Sequence, residues 1–291
     1  MTKTISWYRP PSHPSAPGLH RASHPGIDEA TAALVEIEGC EFNQGDCMGF
    51  TPLMWASRQG NQGTVTLLLA QDGIDPGRPD SCGETPLWWA SIMQHEGVVR
   101  LLLARDDVNP DKPDNYGRTP LWWASGRGHE GVVRLLLARD DVNPDNPDKR
   151  GIKPPQCASS NGHEEVVSLL LSRGAINPDQ PSSDGSTSPS SASSNGNEEV
   201  ARPPVAQGDA SPDEPDNNDL TSLQRAPSNG RKEVVTPPVA LYDVAPDAPD
   251  NSGQAPPNIS SMRRYRRIIA EHIPQLWGKT KKGKERLQNF L

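Results

Sequence analysis

Aromatic and apolar side chains are scarce: 5% of the 291 residues are Phe, Trp or Tyr and 33% are hydrophobic, at a mean hydropathy of -0.69. A chain this polar cannot bury one continuous core along its whole length, so part of it is expected to be disordered. Long hydrophobic runs are missing too, none approaching the roughly 18 apolar residues of a membrane span, and the first residues, Met1 to Pro11, lack the apolar centre of a signal peptide. A soluble intracellular protein is expected, cytoplasmic with a nuclear location also open. Cysteine is sparse: Cys40, Cys47, Cys82 and Cys157 lie 7, 35 and 75 positions apart with no Cys-x-x-Cys pair, which reads as ordinary reduced thiols. Positive charge is short overall, the net being -8, and this argues against bulk nucleic-acid binding. What is abundant is helix-breaking residues, 31 Pro and 25 Gly.

Against that background a repeat stands out. Gly-Phe-Thr-Pro-Leu-Met-Trp-Ala-Ser from Gly49 recurs as Gly-Glu-Thr-Pro-Leu-Trp-Trp-Ala-Ser from Gly83 and Gly-Arg-Thr-Pro-Leu-Trp-Trp-Ala-Ser from Gly117, a period of 34. Each unit continues with an apolar-rich run, Val65 to Ala70, Val98 to Ala104 and Val132 to Ala138, and then a loop containing Asp75-Pro76, Asn109-Pro110 or Asn143-Pro144. Thr51, Thr85 and Thr119 can each cap a helix through the hydroxyl, with the following Pro in the first turn. Leu53, Leu87 and Leu121 point inward, and Ala56, Ala90 and Ala124 keep the inner face small enough for a second helix carrying Leu67 to Leu69, Leu101 to Leu103 and Leu135 to Leu137. One unit alone cannot bury these, so neighbours must stack.

This pattern resembles the ankyrin repeat, whose mark is a Thr-Pro-Leu-His-x-Ala helix start in a repeat of about 33 residues. The resemblance implies an all-α ankyrin-repeat solenoid of helix-turn-helix units. The Asn-Pro-Asp loops also resemble those of ankyrin arrays in filamentous-fungal proteins, NACHT-ankyrin receptors among them. Met54, Trp88 and Trp122 stand where the family usually has His, so the customary Thr-His hydrogen bond is absent. Gln94 replaces the turn glycine found at Gly60, Gly128 and Gly162, where a left-handed backbone implies about 1 kcal/mol of strain.

Register sets the expected boundaries. Residues 1–16 are a flexible N-terminus, and residues 17–182 are the array: a cap over 17–48 beginning near Gly18, full repeats over 49–82, 83–116 and 117–150, and a worn cap over 151–182, where Lys153-Pro154-Pro155 replaces Thr-Pro-Leu. In residues 183–258 the register persists, but the Leu pair becomes Pro203-Pro204 and then Pro237-Pro238. A mid-helix proline costs about 3 kcal/mol and each lost Leu about 1.5 to 3, so this stretch is expected to be degenerate repeats that no longer fold.

Residues 259–291 form a basic tail: from 262 onward nine basic and two acidic side chains give +7, leaving -15 for the remainder. Met262, Tyr265, Ile269 and Ile273 have amphipathic helical spacing, with Arg263, Arg264, Arg266 and Arg267 in the first turns; Lys281 and Lys282 belong to a second cluster. The cluster is readable as a nuclear import signal, an anionic-lipid contact or a nucleic-acid patch, against a plain solvated tail or docking onto the protein's own acidic body.

Signs of catalysis are weak. Gly126 to Gly131 matches Gly-x-Gly-x-x-Gly but follows a helix rather than a strand, and His95, His129 and His163 lack the second His of a metalloprotease helix. No nucleophile can be paired with a base, Asp111 and Asp114 read as turn formers, and the Trp88-Trp89 and Trp122-Trp123 pairs read as core rather than as a stacking platform for bases or sugars. Ser188-Pro189 is one of three possible proline-directed phosphorylation dipeptides. No enzyme, cofactor or metal is expected, and the chain is expected to be monomeric.

The resemblance implies partner contacts at the hairpin tips and the exposed ends of the first helices, across the concave face. By register these are Cys47, Met48, Phe50, Arg58 and Gln59; Ser81, Cys82, Glu84, Ile92 and Met93; Asn115, Tyr116, Arg118 and Arg127; and Lys149, Arg150, Ile152 and Asn161. The early units are apolar there and the later ones basic, which would suit a peptide with a hydrophobic end and an acidic end. The expected function is an adaptor or regulatory scaffold binding a protein. The alternatives are a nuclear, nucleic-acid or anionic-surface factor acting through the basic tail, and a decaying fragment of a larger ankyrin receptor.

Overall fold

The computed structural model describes residues 28–35, 41–173, 181–183 and 185–195. The expectations for residues 1–16, for the start of the N-terminal cap and for the basic tail, including Arg263, Arg264, Arg266, Arg267, Lys281 and Lys282, lie outside the described residues. The described part is helical, in pairs: α1 (Asp28–Val35), α2 (Pro52–Gln59), α3 (Gln62–Leu69), α4 (Pro86–Ile92), α5 (Glu96–Leu103), α6 (Pro120–Arg127), α7 (Glu130–Leu137), α8 (Pro154–Asn161), α9 (Glu164–Leu171) and α10 (Ser188–Asn195). The described residues divide into two compact units, one of them running to Ala124 and including Gly131–Asn143, the other holding Ser125–Glu130 and the described residues from Pro144 onward.

In the first unit the Thr-Pro starts behave as the chemistry demands. The hydroxyl oxygens of Thr51, Thr85 and Thr119 accept from the backbone N–H of Met54, Trp88 and Trp122 at 3.2, 3.1 and 3.1 Å, satisfying one orphan donor at each helix start. Leu53, Leu87, Leu121, Ala56, Ala90 and Ala124 are buried, as are Val65, Leu68, Val98 and Leu102 of the second helices. Helices α2 and α4 pack together, and so do α3 and α5, so each repeat covers the apolar face of the one before. Arginines tie consecutive repeats: Arg105 donates to the Leu69 carbonyl at 3.0 Å and Arg139 to the Leu103 carbonyl at 2.8 Å, each also paired with an aspartate two residues on. Those carbonyls are among the orphan acceptors at a helix C-terminus.

The turn between paired helices shows why glycine belongs there. Gly60 has φ 77°, and a Cβ on it would lie 2.6 Å from the His95 ring, whose Nε2 sits 3.0 Å from the Arg58 carbonyl. Gln94 holds the equivalent left-handed place at φ 63°, and among the described residues no other non-glycine has positive φ. Gln94→Gly is therefore expected to raise stability by about 1 kcal/mol, read as a higher denaturation midpoint at unchanged m-value; a fall would show that the Gln side chain stabilises more than its backbone strains.

The second unit corrects the reading of residues 183–258 at its start. Helix α10 forms over Ser188–Asn195 and packs on α8. The prolines that break the pattern, Pro203 and Pro204, fall in the second-helix position of that repeat. Its first helix still has Thr187 in the cap register and Ala192, fully buried, where Ala56, Ala90, Ala124 and Ala158 stand. Ser188, considered above for phosphorylation, is buried at the first turn of this helix. The worn repeat before it compensates for its missing threonine: Gln156 accepts from the Lys153 N–H at 2.9 Å and donates to the Ser186 carbonyl at 2.8 Å, while the Lys153 ammonium pairs with Asp145.

Candidate binding surface

Each hairpin is built on one aspartate. Oδ1 of Asp46 accepts from the N–H of Met48 and Phe50, that of Asp80 from Cys82 and Glu84, and that of Asp114 from Tyr116 and Arg118, at 2.8 to 3.0 Å; Asp148 repeats the arrangement in the second unit with Arg150 and Ile152. Asp114 is thus the turn former expected. Asp111 differs, because its Oδ2 accepts from the Asn143 N–H at 2.7 Å, one repeat away rather than locally. Within the first unit adjacent hairpins are joined, Ser81 N–H to the Met48 carbonyl at 3.1 Å and Asn115 N–H to the Cys82 carbonyl at 2.8 Å.

Behind these tips runs a ladder of rings. Phe50 lies 4.9 Å from Trp55 and 5.2 Å from Trp89, Trp89 is 5.0 Å from Trp88, Trp88 is 5.5 Å from Trp123, and Trp123 is 5.3 Å from Trp122. Most contacts are tilted or edge-to-face, the arrangements a ring quadrupole favours. Trp55 and Trp88 are buried, as core packing requires, but Trp89, Trp122 and Trp123 are half-buried. Two guanidinium groups cover their open faces: Arg58 stands 4.8 Å from the Trp89 centroid, and Arg118 stands 4.5 Å from both Trp123 and Tyr116 while pairing with Asp114 at 2.8 Å. These half-open, arginine-covered rings were missed in the sequence, although the pairing of Arg118 with a Trp five positions on was there as a signal.

Glu84 sits in this surface, half-buried beside Asp80. Burial, and next the negative charge of Asp80, push its carboxyl up to about 8, while Arg118 opposes the shift. Burial also raises Asp80, and burial followed by Glu84 and Asp80 raises the Cys82 thiol, the reverse of what a nucleophilic thiolate needs. Folding therefore makes Glu84 hold a proton that the unfolded chain releases in the ordinary carboxyl range. Stability is expected to fall as pH rises from about 4.5 to 8 and to level off above that. Glu84→Gln should flatten this slope and melt above the wild type at pH 8.5, measured as thermal midpoints at pH 5.5 and 8.5; equal slopes in the two proteins would contradict the assignment.

The predicted contact residues separate by exposure. Cys47, Met48, Gln59, Ser81, Cys82, Met93, Asn115 and Tyr116 are exposed, and Arg58, Glu84 and Arg118 are half-buried. Two are corrected: Phe50 and Ile92, 5% and 7% exposed, belong to the core, because Phe50 fills the space between Trp55 and Trp89 and Ile92 closes the last turn of α4 inward. In the second unit Arg127, Lys149, Arg150 and Asn161 are exposed and Ile152 is half-buried.

Among the described residues no three His, Cys, Asp or Glu side chains are grouped to hold a metal, and no helix is long and apolar enough to cross a membrane. A family model for ankyrin repeats in three copies matches residues 15–80 and 72–148, and a model for the single ankyrin repeat matches residues 156–183. No curated protein matches the chain.

Proposed function

Because the chain belongs to the ankyrin-repeat family, whose repeats are generally protein–protein interaction modules, we propose that it is a non-catalytic adaptor or regulatory scaffold holding a protein partner at the hairpin tips and adjoining helix ends of its first unit. One observation carries this reading. Met48, Met93 and Tyr116, 43%, 45% and 63% exposed, are the large hydrophobic side chains left open among the described residues, and all three lie at tip or helix-end positions. Exposed apolar side chains gathered in one region mark an interaction surface more often than a solvated one.

The test is affinity capture from source-cell lysate with the wild type and with Met48→Ala, Met93→Ala and Tyr116→Ala combined. All three residues are open to solvent, so the triple variant should fold. A partner retained undiminished by the folded variant defeats the proposal. A truncation ending at Ser261 gives a separate arm for the basic segment, whose charge of +7 supports a second reading, an acidic or anionic partner bound through the tail.

A further inference from the structure

The tips form a row one side chain wide. Met48, Cys82 and Tyr116 occupy the same place in three successive hairpins, all exposed. The residues just before them, Cys47, Ser81 and Asn115, are small or polar. The Ser81 to Met48 and Asn115 to Cys82 backbone bonds, at 3.1 and 2.8 Å, hold the row in register and limit successive tip Cα atoms to no more than about 11 Å apart. Since α2 packs directly on α4, the repeat spacing is that of packed helices, about 8–10 Å.

That spacing selects the conformation of what lies along it. Side chains on one face of a β-strand recur every two residues, about 6.7 Å, which falls out of step with the row after one repeat. A polyproline II helix presents a side chain on one face every third residue, about 9.3 Å. Its other two residues would then meet solvent and the small or polar neighbours. An α-helix, about 10–12 Å across, would also press its flanking side chains onto those polar neighbours. Tyr116 adds a suitable contact: Arg118 stacks on its ring at 4.5 Å, yet the side chain stays 63% exposed, leaving it open to a proline ring.

We propose that the row Met48, Cys82 and Tyr116 binds a proline-rich peptide in the polyproline II conformation that carries an apolar side chain at every third residue. The inference rests on the reading of the tips as a protein-binding surface and specifies the class of segment bound. The preformed helix of such a peptide keeps the ordering cost low, so a shallow row can suffice.

The experiment is selection of a random dodecapeptide library against the immobilised full chain. Affinities of the recovered peptides are then measured on the wild type and on Met48→Ser/Tyr116→Ser, with folding of the variant checked by its melting curve. The expected peptides contain proline, place apolar residues at i, i+3 and i+6, and bind the double variant at least roughly 10-fold more weakly. Peptides that need the tips but show alternating or helical spacing overturn the polyproline assignment and leave the surface standing. Recovery of no peptide that depends on Met48 and Tyr116 overturns both.

Discussion

Phe50→Ala is expected to destabilise the first full repeat by about 3–5 kcal/mol, the cost of deleting a buried aromatic side chain and leaving its cavity. The size is unexpected from register alone, since the equivalent positions hold Glu84, Arg118 and Ile152, none of which is buried. The difference is local packing. Phe50 is 5% exposed, in contact with Trp55 and Trp89, and forms one cluster with Met54 and Trp55. In a repeat array each unit is held mainly by its neighbours, so the loss should concentrate in α2 and α3 and their contact with α4 and α5. Hydrogen exchange of the amides in 52–69, beside chemical denaturation, reads this directly. Phe50→Leu, which keeps most of the volume, should cost under about 1.5 kcal/mol. A loss below about 1 kcal/mol for Phe50→Ala would mean that the rings close over the gap. Failure of Phe50→Ala to capture a partner is accordingly a consequence of unfolding, so Met48, Met93 and Tyr116 are the residues that probe binding.

Asp114→Ala is expected to cost about 3 kcal/mol, near the lower end for breaking a buried ion pair because the Arg118 side chain stays 21% exposed. One carboxylate does several jobs there. It accepts from the N–H groups of Tyr116 and Arg118, pairs with the Arg118 guanidinium at 2.8 Å, and lies 3.4 Å from the Trp123 indole nitrogen. Alanine leaves all these donors without their acceptor, and each buried orphan adds to the cost. Asp114→Asn keeps an oxygen for the two backbone donors and should lose roughly half as much. The substitution also has a reach beyond stability, because Arg118 stacks on Tyr116 and Trp123 at 4.5 Å. Once Asp114 is gone, the near-ultraviolet dichroism of these rings should weaken under native conditions; an unchanged spectrum would show that the rings hold Arg118 without the carboxylate.

Much of the architecture was legible because the repeat copies the same physical solution every 34 residues. Three Thr-Pro-Leu starts, the small alanines and the paired leucines specify cap, close approach and buried face, and the structure uses each of them so. Gln94 was readable as a left-handed residue for the same reason, since glycine holds that place in the repeats on either side. The surface was less legible. Register told which positions end a helix or crown a hairpin, but not whether a side chain there turns outward. Phe50 and Ile92 turn inward because adjacent rings and the last helical turn offer apolar contact, whereas Met93, next after Ile92, points to solvent. Similarly, the proline pairs of the later repeats announced the loss of second helices. They gave no account of a first helix held by Thr187 and Ala192.

The amino-acid sequence by itself determined the repeat, its period and its helix starts, because caps, proline positions and apolar spacing act over a few residues and need no distant partner. Only the tertiary structure decided the character of the binding surface. Whether Glu84 holds a proton, whether arginine covers a tryptophan, and which apolar side chains stay open depend on what the neighbouring repeat places within a few ångströms, and that neighbour lies a full repeat away along the chain.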